Sequence, residues 1–498
     1  MFQKLQKLLV CLAVVFGSAV YVMADEGVPP HPTTLHPEAH AVASPPPVWT
    51  SLPFVALLAA IALLPLLNRT KHWWEHNSHK LLVAAGLAGV TLAYYLVLHE
   101  YPVERHFGGH GSASPAVGLN WDIAATVFIN AICGEFLPFI ILLFSLFTIS
   151  GGIRISGDLP ARPSMNALFI GIGMFLASFI GTTGAAMLLI RVLLETNRER
   201  KHVAHTVVCF IFGVCNTGGL LLPIGDPPLF LGYLRGVGFW WTLELWPYWL
   251  GVNGAILLVY LIWDSLWYFP REQRSDVVRD ETRIRPLQIQ GLLPNGLLLL
   301  GVIGAVALLD PSKPVPGTTW APPVYLREVI LLALSLISWF GTTKVIRSEN
   351  GFNFTPIGEV AALFVGIFLC MQAPLQILHV EGPRLGLDSP AKFFWAAGSL
   401  SSFLDNAPTY VVFFETARTL PSTGEPLEAG VPVSILVAIS LGSVLMGAMT
   451  YIGNGPNFMV KAVAESAGVE MPSFFGYMGY SCCILLPLFL IMTIISWF

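Results

Sequence analysis

The sequence predicts an all-α polytopic membrane protein made of two inverted-topology repeats, with about ten transmembrane helices, two re-entrant hairpins and two broken helices. Three observations predict it. Of the 498 residues, 55% are hydrophobic and only 11% charged, where a soluble domain carries roughly 25% charged residues; so few charges cannot cover a water-facing surface of this size. Apolar runs long enough to span about 30 Å of hydrocarbon recur along the whole chain. The same interrupted motifs also occur once in each half. The formal net charge of −4 supplies no basic face for nucleic acid.

From the N-terminus, Lys4 and Lys7 precede an apolar run over 8–22, and Val22-Met23-Ala24 places small residues just ahead of Asp25. Residues 1–24 read as a cleavable secretory signal, which puts the mature N-terminus outside the cytoplasm. Residues 25–49 are rich in Pro and His, with His31, His36 and His40, and read as an extracytoplasmic linker. Crossings are expected at 50–67, 81–98, 121–149, 204–233, 241–268, 291–309, 326–343, 357–378, 432–460 and 475–498. Two further apolar segments, 164–190 and 393–417, are interrupted by Gly181-Thr182-Thr183-Gly184 and Asp405-Asn406-Ala407-Pro408. They read as re-entrant hairpins, whose non-helical backbone is tolerated only inside protein or beside water.

This assignment gathers most basic residues on the cytoplasmic side, including Arg198, Arg200, Lys201 and the arginines of 271–285, as the positive-inside rule requires. Treating the hairpins as full crossings would put those clusters outside. Residues 50–270 then form the first repeat, 271–290 a basic cytoplasmic linker and 291–498 the second repeat. Each repeat holds three crossings, a hairpin and two crossings, the usual build of secondary transporters. The seven cysteines lack metal-ligand spacing and read as buried small hydrophobes. No nucleotide motif or zinc spacing suggests an enzyme, and nothing calls for a cofactor.

The repeat is also legible in letters. Ser178-Phe179-Ile180-Gly181-Thr182-Thr183-Gly184 lies over Ser402-Phe403-Leu404-Asp405-Asn406-Ala407-Pro408, and Ile224-Gly225-Asp226-Pro227-Pro228 over Ile452-Gly453-Asn454-Gly455-Pro456. Gly and Pro stop a helix, which is expected to free backbone carbonyls for a cation and the N–H groups of the next half-helix for an anion. Hydroxyls, amides and carboxylates complete an oxygen shell of the kind that sodium and other hard cations favour. Asn216, Thr217 and Thr450 stand ready to add ligands. Asp226 and Asp405 sit inside the breaks, and each has two readings: a cap on a half-helix, or an intramembrane acid that trades a proton for a cation. Glu135 lies mid-span, either as a proton carrier or as an acid bonded to a neighbouring helix. Asp122, Glu244, Asp264, Asp310 and Glu359 fall near segment ends, where solvated or capping roles are expected.

At Gly225-Asp226-Pro227-Pro228 and Leu404-Asp405-Asn406-Ala407-Pro408-Thr409 the chain resembles the ion transporter superfamily, most nearly its NhaD-type sodium/proton antiporters and the citrate transporters of the citrate/metal/proton symport group. The resemblance runs from about residue 50 to the C-terminus. It implies an elevator-like carrier, commonly a homodimer, in which each hairpin tip meets the broken helix of its own half. By position it implies one binding cluster of Thr182, Thr183, Asn216, Thr217, Gly225 and Asp226, and another of Asp405, Asn406, Thr409, Gly453, Asn454 and Asn457. The tips depart from the Ser-Asn-Thr of the dicarboxylate-carrier branch, and no Arg or Lys lies in either motif. The first expectation is therefore a sodium (or lithium)/proton antiporter of the inner membrane, with sodium and protons as coupling ions. The alternative is a symporter of citrate or a related di- or tricarboxylate with a cation. The expected partners are membrane lipid and the transported ion or carboxylate.

Overall fold

Long apolar runs with few charges inside them can satisfy their backbone in lipid only as helices, and helices dominate the computed structural model. It describes residues 46–497 except 66, 68, 106–110, 276–279, 281, 283–284 and 422–423. The expected signal and most of the following linker lie outside the described residues. The first half contains α1 (Leu52–Leu63), α2 (Asn77–Val97), α3 (Trp121–Ser150), α4 (Pro163–Ile180), α5 (Thr182–Thr196), α6 (Ala204–Gly213), α7 (Pro227–Leu234) and α8 (Trp246–Trp263). The second contains α9 (Leu292–Leu308), α10 (Leu326–Gly341), α11 (Thr355–Cys370), α12 (Gln372–Glu381), α13 (Pro390–Ser401), α14 (Asn406–Arg418), α15 (Val433–Leu445), α16 (Gly455–Ser466) and α17 (Phe474–Trp497). The protein is an all-α polytopic membrane protein. Its described strands form only three two-stranded antiparallel pairs, one of which joins Arg154–Ser156 to Gln288–Gln290.

The helices fall where the apolar runs predict them. α2, α3, α17 and the stretch Trp241–Arg271 are each long and apolar enough to cross a membrane, and so is the hairpin arm α4. The crossings expected at 50–67 and 291–309 are shorter apolar helices. The one expected at 357–378 is bent by 42° between α11 and α12, where Pro374 brings no N–H to the helix ladder. Both segments expected to break do so. A 3-10 turn at Thr217–Leu220 separates α6 from α7, and one at Met446–Met449 separates α15 from α16.

Packing sorts the helices into two bodies. α2 lies on α11, and α3 on α9 and α10, while the two hairpins, the two broken helices and the last helix of each half pack together. The halves interlock within that second body, with α7 seated on α14 and α16 on α5. Cys209, Cys215 and Cys370 are buried as expected, but Cys482 and Cys483 are exposed; neighbouring positions on α17 share the face that lipid, not protein, covers. At the α2–α11 crossing the backbones touch through small residues. A Cβ on Gly366 would lie 2.7 Å from Cβ and 2.9 Å from Cα of Ala84. Gly366→Val should therefore cost about 1–3 kcal/mol by overpacking, read as a lower melting temperature in detergent. An unchanged melting temperature would refute this contact.

Candidate functional site

Local sequence sets the frame. At Gly181 the backbone takes φ 79° and ψ 147°, a conformation open at low cost only to glycine, which lets the chain reverse from α4 into α5. Each broken helix restarts with proline in its first turn, Pro227 and Pro228 in α7 and Pro456 in α16, where a missing N–H costs nothing. Gly225 and Gly453 fit because the chain folds back on itself there. A Cβ on Gly453 would lie 2.6 Å from the Gly447 carbonyl oxygen, and one on Gly225 would collide with that of Gly219.

These turns bring the starts of four helices to one point, and Asp226 occupies it. Asp226 is 1% exposed. Its Oδ1 accepts hydrogen bonds from Thr182 Oγ1 at 2.9 Å and Asn454 Nδ2 at 3.3 Å, and its Oδ2 from Asn406 Nδ2 at 2.6 Å. Thr182 opens α5, Asp226 precedes α7, Asn406 opens α14 and Asn454 precedes α16. A second amide layer lies behind. Asn216 Nδ2 donates to Asn457 Oδ1 at 2.7 Å, while Asn216 Oδ1 accepts from Asn454 Nδ2 at 3.3 Å. Asn406 Oδ1 is buried and has no hydrogen-bond partner among the described residues.

The two clusters expected from resemblance are thus one. The first hairpin does meet the broken helix of its own half, through Thr182, whose N–H also donates to the Gly225 carbonyl at 2.9 Å. The second hairpin likewise meets the broken helix of its own half, where Ser402 Oγ donates to the Met446 carbonyl and the Ser402 carbonyl accepts from Thr450 Oγ1, but it also reaches across, its Asn406 bonding Asp226 of the other half. The reason is the seating of α14 on α7. Asp405 takes the capping role, its Oδ1 accepting from Ala407 N–H at 3.0 Å, and Thr409 turns back on its own helix to the Asp405 carbonyl. Thr183 is half-buried in the first turn of α5. Thr217 faces α8, donating to Asn253 Oδ1 at 2.6 Å. Glu135 accepts from Arg235 Nη2 at 2.8 Å, in the π-helical turn Asn130–Phe136 of α3, which is the neighbour-bonded of its two readings.

The carbonyls of the breaks are less free than the sequence suggested. In the first break the Gly218 oxygen accepts from Ser178 Oγ and Trp249 Nε1, the Thr217 oxygen from Asn253 Nδ2 and the Leu221 oxygen from Thr242 Oγ1. In the second, Met446 O accepts from Ser402, Ala448 O from Tyr477, Met449 O from Ser481, and both Gly447 O and Thr450 O from Asn457. Backbone at membrane depth must find such partners, and these carbonyls have found them in side chains. Ser178 and Ser402 head the aligned hairpin motifs and could have been found there. Trp249, Asn253, Tyr477 and Ser481 lie in evenly apolar helices that carry no local signal.

Asp264 corrects its sequence reading as a solvated or capping acid. It is fully buried, accepting from Arg200 Nη1 at 2.9 Å and Tyr260 Oη at 3.0 Å, with His205 Nε2 also 3.0 Å away. Asp122 and Glu359 keep to the rim, paired with Arg105 and Lys80.

A family model described as "Putative citrate transport" matches residues 43–497 of the chain. No curated protein matches it.

Proposed function

The chain belongs to the "Putative citrate transport" family, and from this membership and the site geometry we propose that it is a secondary carrier that moves a citrate-class carboxylate with a coupling cation. One observation carries the reading: the N-terminal ends of α5, α7, α14 and α16 converge on Asp226. Each such end bears a partial positive charge, a means of attracting a carboxylate without a basic side chain. The coupling cation is held by the Asp226 carboxylate with the unpartnered Asn406 Oδ1, and Thr182 and Asn454, which both bond Asp226, add their oxygens to the shell. The carrier works in the inner membrane as a homodimer, with its mature N-terminus outside the cytoplasm.

A second reading, sodium (or lithium)/proton antiport, is favoured by one specific feature: the cluster holds only acids, amides and hydroxyls, with no Arg or Lys to neutralise a tricarboxylate. In that case Asp226 and Asp405 alternate between protonated and cation-bound states. Proteoliposomes separate the two. Labelled citrate uptake that needs an inward sodium gradient supports symport. A change of internal pH after a sodium pulse, with no citrate uptake, would overturn symport in favour of antiport.

A further inference from the structure

The last helix of each repeat reaches back to the broken helix ahead of it through two side chains one turn apart. On α8, Trp249 Nε1 donates to the Gly218 carbonyl at 3.1 Å and Asn253 Nδ2 to the Thr217 carbonyl at 3.3 Å. On α17, Tyr477 Oη donates to the Ala448 carbonyl at 2.8 Å and Ser481 Oγ to the Met449 carbonyl at 2.7 Å. The same offset that lays Asp226 over Asn454 lays Trp249 over Tyr477 and Asn253 over Ser481. The side chains differ in every atom that packs, but each places one N–H or O–H on a carbonyl of the 3-10 turn. A need for apolar filling alone would be met by leucine, without a buried polar group at each position. Asn253 and Ser481 are 2% and 0% exposed, and burying such groups is costly unless the hydrogen bond is made.

We propose that Asn253 and Trp249 in the first repeat, and Ser481 and Tyr477 in the second, are positioning residues that set the cation affinity of the site by fixing the two helix breaks. The path is short in each half. Asn253 grips Thr217 through both its backbone carbonyl and its hydroxyl, and the preceding residue, Asn216, bonds Asn457 and orients Asn454 against Asp226. Ser481 holds Met449, and the following residue, Thr450, donates to the Ser402 carbonyl of the second hairpin and accepts from the N–H of Gly453 at 3.1 Å. Releasing either grip lets the break move without removing any side chain that bonds Asp226. The inference rests on the coupling cation proposed above.

The test compares Asn253→Ala, Ser481→Ala, Tyr477→Phe and Ser481→Thr with two controls on exposed positions of the same helices, Leu258→Ala and Leu490→Ala. The readouts are the half-saturating sodium concentration and maximal rate of transport in proteoliposomes. Sodium-dependent thermal stabilisation of the detergent-solubilised protein gives a second measure of affinity that needs no turnover. Loss of one hydrogen bond to the break in Ser481→Ala and Tyr477→Phe, and of two in Asn253→Ala, should raise the half-saturating concentration about three- to tenfold or more, with maximal rate kept within about twofold. Ser481→Thr should restore it, and the controls should match wild type. A merely structural role would lower protein yield or rate with an unshifted sodium dependence, and that result overturns the proposal. A wild-type protein with no sodium response overturns the coupling reading and this inference with it; a responsive wild type with unshifted variants overturns the inference alone.

Discussion

Asp226→Asn should reduce cation-driven transport by about a hundredfold or more while leaving the protein folded. Asp226 is the meeting point of three side-chain donors from three helices, and hydrogen bonds to a charged group are each worth about 1.5–3 kcal/mol. An asparagine keeps the shape, and its Oδ1 still accepts from Thr182 and Asn454. Its new amide would face the amide of Asn406, but Asn406 has a spare acceptor in its unpartnered Oδ1, so turning that one side chain restores the contact. What cannot be restored is the negative charge that holds a cation and responds to a proton. Asp405→Asn is the contrast. Asp405 caps α14 through Ala407, asparagine caps as well as aspartate, and the loss of sodium-driven flux should stay within about tenfold. Reconstituted protein assayed for sodium-dependent flux checks both. Asp226→Asn with wild-type flux would remove Asp226 from the centre of the mechanism.

What could be seen in the sequence, and what could not, follows from the range of each interaction. The hairpin tips and helix breaks were legible because Gly181, Pro227, Asp405 and Pro456 each contradict the apolar run around them, and a local contradiction needs no tertiary information. The four convergent helix starts follow from the same letters. The merging of two clusters into one was not legible, because Asn406 finds Asp226 only once α14 is laid on α7, a contact between distant segments. Resemblance pairs each tip with its own half, which both hairpins do through Thr182 and Ser402, and is silent on the added contact across the halves. Nor could the sequence tell that the break carbonyls are mostly taken: Asn253 and Ser481 are single polar letters in apolar helices, and their targets lie in other segments. Glu135 and Asp264 show the same limit in reverse. Both are acids whose partners, Arg235 and Arg200, are fixed by packing, so position within a span could not decide their roles.

Asp264→Ala should be among the most destabilising single changes outside the site, costing about 3–5 kcal/mol. The Arg200 guanidinium is 4% exposed and the Asp264 carboxylate 0%, and the other acid in reach, Glu272, stands 3.5 Å from Arg200 Nε. Removing the carboxylate leaves a buried cation with weaker partners, Glu272, the Ala161 carbonyl at 3.4 Å and the Phe269 ring, and deprives His205 and Tyr260 of the carboxylate they bond. The damage falls on a junction that matters: Arg200 follows the first hairpin, His205 begins α6 and Asp264 ends α8, so the group ties together the far ends of elements whose near ends build the site. Charge removal as such is not the cost, however. A buried pair is often replaceable by well-packed apolar side chains, whereas a single survivor is not. The double variant Arg200→Met with Asp264→Leu should therefore be more stable than either single variant, a coupling of several kcal/mol between touching residues. Thermal melting of the wild type, Asp264→Ala, Arg200→Met, Asp264→Leu and the double variant in one detergent measures it. If Asp264→Ala melts with the wild type, or if the single costs simply add in the double variant, the ion pair contributes no more than surface pairs do, about 0–1 kcal/mol, and some other contact holds this end of the helices together.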